Sequence, residues 1–142
     1  MLIDANLLIY AADALAPEHA RASAWMTEQL NGDRRVGIPW QSLTAFVRIA
    51  THPRATATPL RPADAWQFVD DWLACDQVWI PVPTDRHATI LGSLVRTHRV
   101  SGNLVPDAHL AALAIEHGLE VCSADADFAR FGEIRWRNPL TG

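Results

Sequence analysis

Short apolar runs alternate along this chain with longer stretches in which apolar residues recur every three to four positions. The runs "MLID", "RVGIP", "QVWIPVP", "LEVCSA" and "EIRW" have the length and β-branched content of buried strands. Between them lie helical periods. "LLIYAAD" is a short helix with Asn6 as its cap, and "PEHARASAWMTEQLNG" opens at Pro17 and stops at Asn31-Gly32. From Trp40 to Thr51 the apolar positions are 40, 43, 46, 47 and 50, and Pro53 ends the pattern. "PADAWQFVDDWLAC" carries Trp66, Val69 and Leu73 on one stripe. "TDRHATILGSLVRTH" takes Thr84 as N-cap, "PDAHLAALAIEHG" runs from Pro106 to a C-terminal Gly118, and "DFARF" is a short turn. Strands alternating with helices predict an α/β fold, a parallel sheet with helices on both faces. No repeat or linker interrupts it, so residues 1–142 read as one domain.

In open α/β sheets, ligands bind outside the carboxyl ends of the strands, where the strand order reverses. Asp4 follows the first strand run and Asp125 the fourth. Asp107 shares a helical face with Leu110, Ala111 and Ala114, at i, i+3, i+4 and i+7, so it begins a buried stripe. Singly, each acid has an ordinary role: Asp4, Asp125 and Asp127 as caps or turn residues, Asp107 as a favourable charge at a helix N-terminus. Together, converging carboxylates raise each other's pKa unless a cation joins them. Asp without His or Cys selects a hard ion, Mg²⁺ or Mn²⁺, which suits phosphate chemistry.

Composition narrows the picture. Hydrophobic residues make up 49% of the 142, which excludes disorder, and no apolar run is long enough to span a membrane. The apolar start carries Asp4 and no basic flank, unlike a signal peptide. Cys75 and Cys122 lack metal-ligand spacing and read as core thiols of a cytoplasmic protein. The net charge of −4 does not suit bulk coating of nucleic acid, but all 12 basic residues are Arg, the side chain matched to phosphate forks. Arg48, His52, Arg54, Arg96 and Arg99 flank the expected cleft as RNA-contact candidates. The six His read as surface or loop residues, with His109 nearest the acids. Trp25, Trp40 and Trp66 are assigned to the core, and Trp72 and Trp79 to an exposed patch for a partner.

Three motifs in this order, "LIDANLLIYAAD", "GNLVPDAHLAALAIEHG" and "VCSADADFARF", resemble the PIN domain, and more narrowly the VapC-type toxins of bacterial toxin–antitoxin pairs. The resemblance covers essentially the whole chain. It implies a three-layer α/β/α sandwich around a five-stranded parallel sheet of order 3-2-1-4-5. It also implies Mg²⁺- or Mn²⁺-dependent cleavage of single-stranded RNA, a homodimer, and inhibition by a small cognate antitoxin. Asp4, Asp107 and Asp125 match the family's catalytic acids. Asp127 matches a more variable fourth metal ligand, and Ser123 the hydroxyl position of the third motif; Asn6 and Gln41 are supporting residues. One position departs: Ala45, in "QSLTAF", stands where many members carry Glu. That departure keeps a second reading open, a non-catalytic PIN-like module binding RNA or protein. A phosphatase with an aspartyl nucleophile fits less well, because position 6 is Asn6 and the chain has no Lys.

Overall fold

The computed structural model describes residues 1–141. Each expected run yields a short strand: β1 (Leu2–Ile3), β2 (Val36–Gly37), β3 (Val78–Trp79), β4 (Val121–Cys122) and β5 (Trp136–Arg137). They form one sheet in the order β3-β2-β1-β4-β5, and every pairing is parallel. The helices are α1 (Ala5–Ala12), α2 (His19–Leu30), α3 (Trp40–Ala50), α4 (Pro62–Leu73), α5 (His87–His98) and α6 (Val105–His117). The expected α/β/α sandwich and strand order are thus present.

The pleat divides the core in two. Successive residues of a strand face opposite sides, so Leu2 and Val121 pack with α5 and α6, while Ile3 and Cys122 pack with α1 to α4. No residue from Ala108 to Ala114 except His109 is more than marginally exposed, because α6 lies between the sheet and α5. Six of the seven residues from 108 to 114 are Ala or Leu, small enough or flexible enough to fill both contacts. Gly118 ends α6 in the left-handed conformation at φ 66°, as its place after the last apolar turn predicts.

Several local expectations are corrected. Asp4, not Asn6, caps α1, because its backbone is extended and its carboxylate accepts from Ala5 N. α2 begins at His19, since Ala16 N bonds Asp13 O and His19 N bonds Ala16 O in preceding turns. α5 begins at His87, and Thr84 instead donates its hydroxyl to Glu116 at 2.7 Å. β5 pairs from Trp136 onward, at the end of the "EIRW" run rather than within it. Trp40 and Trp66 are 43% and 44% exposed, whereas Trp72 is buried against Phe46 at 4.9 Å between ring centroids. Position on the amphipathic stripe decides this: Trp72 follows Ala65 and Val69 inward, and Trp66 sits one step round the helix. Trp79 is half-buried under the guanidinium of Arg35, 4.5 Å from its ring, and Trp25 is buried as expected.

Gly37 has a steric reason. A Cβ there would lie 2.8 Å from Pro81 Cγ and 3.0 Å from the Met1 carbonyl oxygen, to which Gly37 N itself donates. Gly37→Ala should therefore push β1, the strand that ends in Asp4, away from β2. We expect a loss of about 1–3 kcal/mol in urea unfolding; an unchanged midpoint would show that the loop at Pro81 yields freely.

Candidate active site

The strand order reverses between β1 and β4, and the acids gather at that point. Asp4 leaves β1 as the cap of α1. Its Oδ1 accepts from Ala5 N at 2.7 Å, and its Oδ2 accepts from Ser123 Oγ at 2.7 Å and from Asn6 Nδ2 at 3.2 Å. Ser123, fully buried just past β4, is the hub. Its Oγ also accepts from Asn6 Nδ2 at 3.0 Å and from Asp125 N at 3.0 Å, and Asn6 Oδ1 accepts from Ala124 N at 3.2 Å. The loop after β4 is thereby fastened to the start of α1. Asp125 in turn caps the 3-10 helix Ala126–Arg130 by accepting from Asp127 N at 2.8 Å.

Asp107, in the first turn of α6, closes the group from the other side. Ligand oxygens of Asp107, Asp125 and Asp127 all lie within 4.8 Å of one another. Asp4 stands outside this trio, its carboxylate drawn toward Ala5 N and Ser123, yet its charge is felt there. Burial, then the charges of Asp125, Asp4 and Asp127, push Asp107 up to about 6, and Arg130 only partly offsets them. Asp4 is also raised, first by burial and then by Asp125, against the hydrogen bonds from Ser123 and Ala5. The donor set is all oxygen and carries more negative charge than its surroundings neutralise. It fits a hard divalent cation and lacks the His or Cys that a softer one selects.

Helix α3 borders the site. Ser42 Oγ donates to the Ile3 carbonyl at 2.7 Å, and Gln41 Nε2 donates to the Pro106 carbonyl at 2.9 Å, immediately before Asp107. Gln41 therefore steadies the α6 N-terminus, a role other than the water-holding one its position beside Ala45 invites. Ala45, one turn along from Gln41, is half-buried and contributes no ligand. Arg48, His52, Arg54, Arg96 and Arg99 are all exposed, and among the described residues none is ion-paired with a carboxylate. Arg130, absent from the sequence candidates, is the cation that acts on Asp107.

The PIN domain profile matches residues 1–134. The chain belongs to the PIN-domain family. It is 42% identical over 138 residues to "Ribonuclease VapC37" of Mycobacterium tuberculosis, covering 97% of this chain and 96% of that protein. Among solved structures, Mycobacterium tuberculosis VapC20, a Sarcin-Ricin loop cleaving toxin, superimposes with a TM-score of 0.69 at 19% identity, over 94% of this chain and 98% of that one. VapBC2 of Rickettsia felis, solved bound to a DNA fragment from its promoter, gives a TM-score of 0.68 at 13% identity, over 96% of both chains.

This PIN domain also holds a polar chain that the sequence reading missed. Glu116 accepts from Thr84 N and Oγ1 at 2.8 and 2.7 Å; His87 Nδ1 lies 2.6 Å from its other oxygen, and His87 Nε2 lies 3.0 Å from His109 Nδ1. Burial pushes Glu116 up, but the bonds from His87 and Thr84 outweigh it and hold Glu116 below its ordinary range. Burial, then His87, lowers His109. These histidines join α5 to α6 and are not loop residues; His98, likewise, meets Glu133 at 2.8 Å. His109 turns toward His87 and makes no hydrogen bond to the acids. The helical period gave the signal: His109 and Glu116 are seven residues apart on one face.

Proposed function

We propose that this PIN domain is a metal-dependent endoribonuclease, the toxin of a type II toxin–antitoxin pair. The Asp107, Asp125 and Asp127 trio beside Asp4, at the reversal of strand order, carries the reading. A non-catalytic binding module has no use for such mutual repulsion, which makes it the weaker alternative. Mg²⁺ or Mn²⁺, when bound, would supply Lewis acidity toward a phosphodiester and lower the pKa of water. Asp107, Asp125 and Asp127 would hold it. Asp4 is oriented by three donors, and its Oδ1 keeps a lone pair free for the cation. Ser123 and Asn6 fix the distance between Asp4 and Asp125 through direct hydrogen bonds. Arg48, His52, Arg54, Arg96 and Arg99 are free to meet phosphates around this negative centre.

The partner is read from surface shape. A groove of about 360 Å³ between α1, α3 and the loop before α4 is lined by Ile9, Leu15, Ile49, Ala50 and Leu60. Leu15 there is 70% exposed. Such a groove suits an apolar peptide segment, and the likeness to VapBC complexes supports a small cognate antitoxin as its source. The functional form would be a homodimer in the cytoplasm.

Ser123, the hydroxyl at the site, is fully buried and donates to Asp4, so in this reading a water would attack phosphorus, lose its proton to a carboxylate, and the 3′-oxygen would leave protonated. Purified protein with single-stranded RNA and Mg²⁺ should produce fragments with 5′-phosphate and 3′-hydroxyl ends, scored by ligation and phosphatase sensitivity. Ends in 2′,3′-cyclic phosphate would show attack by the ribose and overturn this mechanism.

A further inference from the structure

Two large aromatic side chains remain outside the core for no reason of packing. Trp40 opens α3 and Trp66 lies on α4; both are exposed, 43% and 44%, with ring centroids 6.4 Å apart and planes within 10° of parallel. Trp25 and Trp72 of the same layer are buried, so the layer has room for indoles and does not take these two. Their surroundings are polar: Gln41 is half-buried, and Thr44, Gln67 and the Arg61–Asp64 pair lie at the surface. An isolated flat pair in a polar rim differs from the apolar groove described above, which is at the other end of α3. Trp40 and Ala50 are separated by about 15 Å of helix.

Position ties the pair to the acids. Pro39 caps α3 directly after β2, which puts Trp40 at the carboxyl edge of the sheet, the edge that carries Asp4 and Asp125. The adjacent Gln41 bonds the Pro106 carbonyl, and Asp107 follows. We propose that Trp40 and Trp66 form a stacking platform for an unpaired base of the RNA strand whose phosphate lies at the acids. This rests on the nuclease reading. Every base has a π-face, so stacking holds the strand without dictating sequence and rejects a duplex, whose bases are already stacked. The phosphate-binding arginines alone would accept either.

Steady-state cleavage of a labelled single-stranded RNA tests it, with two decamers as inhibitors: oligodeoxyadenylate and an abasic strand of equal length. The wild type should be inhibited more strongly by the strand that has bases. Trp40→Ala should raise KM roughly 5- to 100-fold, the span of one lost base stack, leave kcat within about threefold, and erase the difference between decamers. Trp66→Ala should act in the same direction, and Trp40→Phe should restore most of the loss. A fall in kcat at unchanged KM would mean that Trp40 acts only by seating Gln41, and would overturn the platform. Equal inhibition by the two decamers in the wild type would do the same. So would normal RNA kinetics in Trp40→Ala together with loss of self-association or of antitoxin binding, which would assign the pair to a protein interface. If the wild type cuts no RNA, the nuclease reading fails by itself. Quenching of indole fluorescence by the two decamers then still decides whether bases stack here.

Discussion

Asp107→Asn is expected to lower RNA cleavage by on the order of 10²–10⁴-fold, the range a positioned charged group contributes, while making the metal-free protein more stable at pH 7. The two effects share one cause. Burial and the neighbouring carboxylates push Asp107 from its ordinary 3.8 up to about 6. A carboxyl group raised in the folded state binds its proton more tightly there than in the unfolded chain. The fold therefore gains stability as the pH falls from about 6 toward 3.8, and carries the full penalty of the ionised form above that window. Asn has nearly the same shape and no charge, so it removes the penalty at pH 7 and should change little at pH 4. Thermal melts of both proteins in EDTA at the two pH values give the comparison. A buried structural aspartate whose loss unfolds the protein would behave oppositely. If Asp107→Asn melted lower than the wild type at pH 7, the charge would be a stabilising one at the α6 N-terminus and not a ligand waiting for a cation.

The elements that were legible in the sequence are those whose signals are local. Gly118, Pro62 and Pro106 act through backbone geometry and mark helix ends without reference to the rest of the chain. The strands were legible as apolar runs, and the acids as carboxylates placed after them. The order of the strands came from family resemblance, because nothing in a two-residue strand specifies its neighbour. Asp4 and Asp125 show why a single residue admits two readings. Each is a helix cap, accepting from Ala5 N and Asp127 N, and each also belongs to the acidic site. A cap places a carboxylate at a fixed angle at a strand end, which is what a site there requires. Trp40 and Trp66 were misplaced because a large apolar side chain on a helical stripe has no mark showing which stripe is covered. The Glu116–His87–His109 chain joins residues from two helices: His109 and Glu116 share a face of α6 by spacing alone, but His87 meets them only once α5 lies on α6. Ala45 illustrates the converse: the missing carboxylate and the four aspartates were plain in the sequence, but the separation of Asp4 from the Asp107, Asp125 and Asp127 trio was not.

Chelation should abolish cleavage entirely, and Mg²⁺ or Mn²⁺ should restore it. Zn²⁺ alone should not, since the trio offers only oxygen. The recovery should depend on pH in a way set by Asp107. In the metal-free protein this group binds its proton at about 6, so below that value a proton competes with the cation for the same oxygens. With one proton displaced, apparent affinity for Mn²⁺ should fall roughly tenfold for each unit of pH below 6 and level off above about 7. The increase in melting temperature caused by a fixed Mg²⁺ concentration should follow the same course, smaller at pH 5 than at pH 7.5. At the higher pH the cation removes a repulsion; at the lower one the proton has already removed it. Calorimetric titration with Mn²⁺ at pH 5, 6, 7 and 8, repeated with Asp107→Asn, separates this from general weakening by acid. The variant should bind more weakly at every pH, and its remaining affinity should fall less steeply between pH 7 and 5. A variant that kept the wild-type pH profile would place the titrating group elsewhere among Asp4, Asp125 and Asp127, and would remove Asp107 from the ligand set.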